Sequence, residues 1–150
     1  MKIYVVYFRT MIDSPDVTIN CVTSSRAIAE LALTQAKRAE EEFMADRDED
    51  SSDWADACIE EFDIFDAKQG ETLYLLIETL WHEEVTTTIH VFRDEANAVA
   101  RQSFLKEDIL SDYPGIVPFE EGESFDQACH LYDDSVMVDY WTYVEPVTIQ

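Results

Sequence analysis

Alternating apolar and polar positions predict β-strands along most of this chain, and two stretches of helix formers predict α-helices. The first half is predicted to contain a strand at 2–9, a turn at Pro15-Asp16, a strand over Val17–Val22, a helix from Arg26 to about Ala45, an acidic loop over 46–56 and a strand over Cys58–Phe65. Thr23-Ser24-Ser25 supplies hydroxyl groups that can cap the helix. The apolar stripe of that helix is predicted to comprise Ile28, Leu31, Ala32, Ala36, Ala39 and Phe43.

The second half repeats this order after a turn at Gln69-Gly70. It is predicted to contain strands over Thr72–Leu80 and Val85–Phe92, a helix from Glu95 to about Leu110 capped by Asp94, a loop with Pro114, Gly115, Pro118 and Gly122, and a final strand over Val136–Val144 ended by Pro146. An alternative position for the last strand, near 129–136, stays open. Apolar residues on both faces of the final strand predict a second layer: the other half, a homodimer partner or a target.

Matching residues recur at nearly constant offsets between the halves. Ala27, Ala29 and Lys37 recur as Ala96, Ala98 and Lys106, Tyr4 recurs as Tyr74, and Ala57-Cys58 recurs as Ala128-Cys129. We therefore predict an α+β protein of two tandem β-β-α-β units, near 1–67 and 71–146, with antiparallel sheets and one helix each. The alternative is an ordinary α+β domain with coincidental similarity.

The composition is that of one compact folded protein. The 150 residues are 47% hydrophobic and include 8 Phe, 7 Tyr and 3 Trp, which is enough for a core and argues against disorder. The three cysteines form no CxxC pair, and no apolar run has the length of a signal peptide or a membrane span. We expect a protein of a reducing cytoplasm, that of a bacterial host cell if a phage encodes it.

The charge lies in two blocks. The net charge is −23, from 33 acids and 10 bases; residues 40–66 hold thirteen acids and one base, and residues 107–145 hold eleven acids and neither Lys nor Arg. Direct binding to nucleic acid or to an anionic membrane is disfavoured, because both depend on Lys and Arg. Two acidic blocks instead favour one or two acidic surfaces.

The residues that catalysis, cofactors or metals require are not grouped in the sequence. The three glycines are far apart, so no phosphate-binding loop is predicted, and the three histidines are scattered. The run Asp46–Asp50 begins like a calcium loop, but Ser51 and Ala57 occupy the positions of its required Gly and Glu. We expect a protein that is not an enzyme and that needs no cofactor or metal.

A folded surface with rows of carboxylates can occupy a basic groove that normally binds DNA or RNA. In composition, size and charge segregation the chain resembles, as a functional class, the phage-encoded nucleic-acid mimics that block restriction enzymes, CRISPR effectors or other host DNA-binding proteins. This resemblance implies a non-enzymatic inhibitor whose partner is a basic nucleic-acid-binding protein of the host. Alternatives are an immunity or antitoxin-type protein that neutralises a basic toxin or nuclease, an allosteric or assembly-blocking inhibitor, a halophile's solvated domain, and a small enzyme or metal-binding protein.

The denser first block is predicted to contribute more to partner binding than the second. Trp54 is its candidate aromatic anchor, since interface energy concentrates in large aromatic side chains; the alternative is a core residue that covers the helix end. The predicted partner-binding residues are Glu40, Glu41, Glu42, Asp46, Asp48, Glu49, Asp50, Asp53, Trp54, Asp56, Glu61 and Asp63.

Overall fold

A computed structural model describes residues 1–12, 14–118 and 128–150, which form two compact units. Unit 1 comprises Met1–Glu71 together with Thr148–Gln150, and unit 2 comprises Thr72–Val147. The protein is α+β, with one antiparallel sheet of three strands, one of five strands, and two helices. The predicted fold class is confirmed at this level.

Unit 1 consists of a three-stranded sheet and one long helix. Its elements are β1 (Lys2–Ile12), β2 (Ser14–Thr23), α1 (Arg26–Asp46) and β3 (Trp54–Asp63). β1 is the central strand, because the strand order is β2-β1-β3 and both neighbours run antiparallel to it. The chain's last residues also bind here: the Gln150 N–H donates to the Val22 carbonyl at 2.9 Å, and the Ser24 N–H donates to the Gln150 carbonyl at 3.1 Å.

The helix α1 begins as predicted, but its buried face coincides only partly with the predicted apolar stripe, sharing Ala36 with it. Ser25 is its N-cap, and the Ser25 hydroxyl accepts a hydrogen bond from the Ile28 N–H. Ala29 and Ala36 are buried against the sheet, whereas Ile28 and Leu31, which were predicted to be core, are 46% and 62% exposed. Small alanine side chains let the helix lie close to the aromatic residues of β1. The close approach of α1 to the sheet, rather than the size of its apolar side chains, therefore selects which face of the helix is buried.

Three predicted strand boundaries in the chain are wrong. Pro15-Asp16 is not a turn: Pro15 lies in β2 opposite Met11, where an edge strand tolerates a residue without an N–H. The acidic loop is shorter than predicted, because β3 already begins at Trp54, which also pairs with Met11. Pro146 does not end the last strand of unit 2, because that strand continues through Pro146 to Thr148.

Unit 2 is larger and has a five-stranded sheet. Its elements are β4 (Thr72–His82), β5 (Glu84–Phe92), α2 (Glu95–Asp112), β6 (Val117–Pro118), β7 (Ala128–Asp133) and β8 (Val138–Thr148). The strand order is β5-β4-β8-β7-β6. Asp94 caps α2 as predicted, its carboxylate accepting from the Asn97 N–H at 3.1 Å.

The two positions considered for the last strand are both strands, β7 and β8. β8 lies beside β4, as β3 lies beside β1, whereas β7 pairs with β8. The match of Ala57-Cys58 with Ala128-Cys129 therefore joins strands in different sheet positions and does not support the repeat. The β6–β7 pair gives unit 2 two strands that the predicted β-β-α-β unit lacks.

One of the two apolar faces of the last strand is buried and comprises Val138, Tyr140, Thr142 and Val144. Val138 and Tyr140 pack with Ile109 of α2, so this face lies towards the helix. Val136 does not belong to it: this residue precedes β8, in the turn after β7, and is exposed.

Candidate functional site

Six carboxylates at the end of α1 and in the following loop form the most acidic exposed surface of unit 1. They are Glu41, Glu42, Asp46, Asp48, Glu49 and Asp50, and we call them the α1 acidic surface. The base inside this stretch, Arg47, points its guanidinium at backbone: it donates to the Asp53 carbonyl at 2.7 Å and to the Ser51 carbonyl at 3.5 Å. The Ser51 N–H donates to the Asp48 carbonyl at 3.0 Å, so this loop contains a closed turn.

The electrostatics around Asp46, at the end of α1, are unfavourable for unit 1 itself. The last turn of α1 contains Asp46 and no basic side chain. A helix C-terminus carries a partial negative charge, so an acid there destabilises the helix. Glu42 and Asp46 are also four residues apart, which places two like charges on neighbouring positions of one helix face.

Four of the predicted partner-binding residues are half-buried and make contacts within unit 1. The Glu40 carboxylate is half-buried and accepts from the Ala57 N–H of β3 at 3.2 Å. Asp53 is half-buried, and its carbonyl accepts from Arg47. Asp56 and Trp54 both engage Arg9, which leaves them less available to a partner than the sequence suggested.

Arg9 forms the strongest ion pair seen in unit 1. Its Nε and Nη2 atoms donate to the two oxygens of Asp56 at 2.9 and 2.7 Å, and its guanidinium lies 5.2 Å from the centroid of the Trp54 ring. The hydrogen bonding of Arg9 to the Asp56 carboxylate raises the pKa of Arg9, against the opposing effect of burial. Trp54 is half-buried in this arrangement, closer to the core alternative than to an exposed anchor.

The two remaining predicted residues lie at the other end of β3. Glu61 pairs with Lys2 at 3.1 Å, which raises the pKa of that lysine, and Asp63 is exposed. At the rise of a strand, Glu61 and Asp63 lie roughly 23 and 30 Å from Trp54 along β3. The twelve predicted residues are therefore spread along the length of β3 as well as over the end of α1 and the following loop.

An exposed aromatic residue that the sequence analysis missed follows β3. Phe65 is 91% exposed, in a turn beside Asp66, whose φ is 54°. The turn is ordered: Met1 and Ile64 exchange two backbone hydrogen bonds at 3.0 and 3.2 Å. The available signal was a phenylalanine directly before Asp66 and close to the Gln69-Gly70 turn, but the alternating pattern assigned it to the end of the strand.

The second acidic block is only partly described. On α2, Glu107, Asp108 and Asp112 are exposed. The acids of the proline- and glycine-containing loop, including Glu120, Glu121 and Glu123, lie outside the described residues. The predicted ranking of the two blocks therefore stays a prediction.

A cavity of about 780 Å³ lies in unit 2, at one end of its sheet. The turn between β4 and β5 borders one side and the turn between β7 and β8 the other. Its lining residues are Trp81, His82, Glu83, Tyr132, Asp133, Asp134, Val136, Met137, Val138 and Asp139. A volume of this size accommodates a small organic molecule.

A buried histidine positions one of the carboxylates of this cavity. His130 is 3% exposed, and its Nε2 hydrogen-bonds to the Asp139 carboxylate. Its ring stacks on Trp141 of β8, with ring centroids 3.7 Å apart and an interplanar angle of 17°. The sequence analysis found the three histidines only scattered and missed the cross-strand partner of His130.

In the described ranges, no group of three or more His, Cys, Asp or Glu side chains is arranged to hold a metal ion, and no helix is long and apolar enough to cross a membrane. Comparison with protein-family models, curated proteins and solved structures finds no match.

Proposed function

We propose that this protein is a non-enzymatic inhibitor whose α1 acidic surface occupies a basic, nucleic-acid-binding surface of a host protein. The observation that carries the proposal is the exposure of six carboxylates on a helix end and an ordered turn, with the adjacent guanidinium of Arg47 directed to backbone carbonyls. The surface therefore keeps most of its negative charge available to a partner.

The position of Asp46 within this surface is costly to the protein that carries it. Acids at a helix C-terminus and like charges four residues apart both lower helix stability. A locally unfavourable arrangement is typical of functional surfaces, where binding rather than folding sets the residue type. The stability cost thus supports an interaction role over that of a solvated loop.

The spacing of the charges suits a groove that binds phosphates. Neighbouring side chains on a helix face are about 5–6 Å apart at their Cβ atoms, a separation comparable to that of successive phosphates on one strand. Opposite potentials would accelerate the encounter and orient the two proteins, and this effect weakens as salt rises. The partner's nucleic acid would then be excluded by competition.

A competition experiment tests this proposal. The immobilised protein captures partners from bacterial lysate at about 50 mM NaCl, within the range where exposed charges act strongly. Each captured protein is purified, bound to a fluorescent DNA or RNA duplex, and titrated with the inhibitor while anisotropy is measured. We expect displacement of the duplex, and weaker displacement at higher salt.

Two variants with the same change in net charge locate the contact. The loop variant carries Asp48→Asn, Glu49→Gln and Asp50→Asn. The control variant carries Glu107→Gln, Asp108→Asn and Asp112→Asn on α2. Three exposed charges contribute roughly tenfold in affinity if all three face the partner, so the loop variant should compete about tenfold less well and the control nearly as well as the unmodified protein.

Each result has a distinct meaning. A captured protein that keeps its nucleic acid at saturating inhibitor contradicts mimicry and favours an allosteric or assembly-blocking inhibitor. A captured toxin or nuclease whose activity is neutralised favours the immunity or antitoxin alternative. Equal loss in both variants shows that total charge, not the α1 acidic surface, drives binding.

We also infer that both units derive from one β-β-α-β plan, to which unit 2 adds β6 and β7. The support is that α1 and α2 start 69 residues apart and that the orders β2-β1-β3 and β5-β4-β8 place the corresponding strands alike. An experimental structure tests this inference: units that do not superpose over these elements would contradict it.

A further inference from the structure

The cavity of unit 2 lies where two neighbouring hairpins end. β4 and β8 are adjacent in the sheet, and β4 ends at His82 near the point where β8 begins at Val138. The β4–β5 turn contains Glu83 alone between the paired residues His82 and Glu84. The longer β7–β8 turn spans 134–137 between Asp133 and Val138. The two turns stand side by side and leave the cavity between them.

Aromatic and aliphatic side chains supply an apolar lining. Trp81 and His82 come from β4, Tyr132 from β7, and Val136, Met137 and Val138 from the turn and the start of β8. The Nδ1 atom of His82 is buried and has no hydrogen-bond partner in the described part of the chain. An organic ligand would find here both apolar surface and aromatic rings that favour a cation.

The charge of the described lining is one-sided. It contains four carboxylates and neither Lys nor Arg. Asp133 is partly used by the fold, since its Oδ1 accepts from the N–H and the hydroxyl of Ser135 at 3.0 and 2.7 Å. Glu83 and Asp134 are exposed at the rim, and Asp139 is held by His130. The cavity is therefore complementary to a positively charged ligand.

Backbone strain is concentrated in the same two turns. Three non-glycine residues in the described ranges have positive φ, and two of them, Glu83 at 69° and Met137 at 57°, line the cavity. Met137 is unusual in this conformation, which costs a non-glycine residue free energy, and its side chain is 73% exposed. Such strain is found often at ligand sites, where it positions a side chain for contact.

We propose that this cavity binds a small organic cation, an ammonium or guanidinium group carried on an apolar body. The cationic group lies among Glu83, Asp134 and Asp139, and the apolar body contacts Trp81 and Tyr132, with Met137 covering it from the rim. This site lies entirely within unit 2, so the inference is independent of the α1 acidic surface.

An NMR titration of the full chain at about 150 mM NaCl tests the proposal, because salt at this level screens unspecific attraction to the acidic protein. The probes are phenethylamine and agmatine, and 2-phenylethanol is the neutral counterpart of the first. We expect saturable shifts of the Trp81 indole N–H and the Met137 methyl group, with a Kd near or below about 1 mM for at least one cation. The neutral alcohol should bind roughly tenfold more weakly.

Three variants separate the cavity from the rest of the acidic protein. Glu83→Gln with Asp134→Asn should weaken cation binding about fivefold, as expected for two rim charges. Val136→Trp, at an exposed position, should fill the cavity and abolish the shifts while the fold is retained. Glu107→Gln with Asp108→Asn removes the same charge from α2 and should leave binding nearly unchanged.

The proposal is overturned by any of three results. One is the absence of saturable shifts at the cavity for both cations. The second is equal binding of 2-phenylethanol, which would make the site apolar without selection for charge. The third is the same loss of binding in the α2 control as in the rim variant, which would indicate unspecific attraction.

Discussion

Replacing the acid in the last turn of α1 should stabilise the protein. Asp46 is exposed and lies in the last helical turn of α1, which contains no basic side chain before the C-cap residue Arg47, and it follows Glu42 by four residues. In the variant Asp46→Lys, an unfavourable interaction with the helix macrodipole becomes favourable, a change of about 0.6–2 kcal/mol. The pair with Glu42 changes from like to opposite charges, which adds about 0.4–1 kcal/mol.

The expected gain is therefore about 1–3 kcal/mol in the free energy of unfolding, or about 2–12 °C in Tm for a chain of this size. Urea denaturation at about 20 and 500 mM NaCl measures it, because screening should remove most of the gain at the higher salt. Asp46→Asn should give roughly half of the effect of Asp46→Lys, since it removes the acid without adding a base.

Asp50→Lys is the matched control, because it changes the net charge equally in the exposed loop outside the helix. It reports the relief of general self-repulsion alone. A gain in this control as large as in Asp46→Lys, or a gain that persists at high salt, would refute the explanation by the helix end. A stabilised Asp46→Lys variant that also binds its partner more weakly would link the stability cost directly to the proposed function.

Three further predictions concern single side chains. Phe65→Ala should change the free energy of unfolding by less than about 0.5 kcal/mol in urea, because the ring is 91% exposed; a larger loss would mean that the ring is packed in solution. Met137→Gly should raise stability by about 0.5–1 kcal/mol, because glycine relieves the positive φ of 57° at some cost in chain entropy; a loss in thermal unfolding would contradict the strained turn. Burial raises the pKa of Glu145 above 4.5, so its ionised form destabilises the folded state at neutral pH and this penalty disappears as pH falls through that pKa. Glu145→Gln should therefore be more stable than the unmodified protein at pH 7 but not at about pH 4, the ordinary pKa of glutamate; a gain that is independent of pH would show another cause.

Local signals in the sequence were sufficient for the elements and their starting points. The side chains of Ser25 and Asp94 cap the two helices by accepting hydrogen bonds from the backbone N–H groups three residues later in the chain. Each of these interactions lies within one helical turn. The β-branched and aromatic runs of β1 and β4 predicted strands for the same reason, because the preference belongs to the residues themselves. The segregation of charge into two blocks is likewise a property of the sequence.

The buried face of α1 needed the tertiary structure. Alanines occur on several sides of this helix, so the 3.6-residue pattern does not single out one face. Contact with Val6 and Cys21 selects the face of Ala29 and Ala36, and leaves Leu31 in solvent. Which apolar residues lie in the core thus depends on their distance from the sheet. The composition of the helix carries no information about that distance.

Which carboxylates remain available to a partner was also decided by the tertiary structure. Asp56 and Asp50 look equivalent in the sequence, but the pairing of β1 with β3 brings Asp56 to Arg9, 47 residues away, while Asp50 stays exposed. The cavity of unit 2 arises in the same way, because Trp81 and Asp139 meet only when β4 and β8 become neighbours. The sequence by itself determined the amount of charge and the elements that carry it. Strand pairing determined which charges are neutralised and which carboxylates surround the cavity. Neutralisation and cavity formation both depend on contacts between residues that are far apart in the chain.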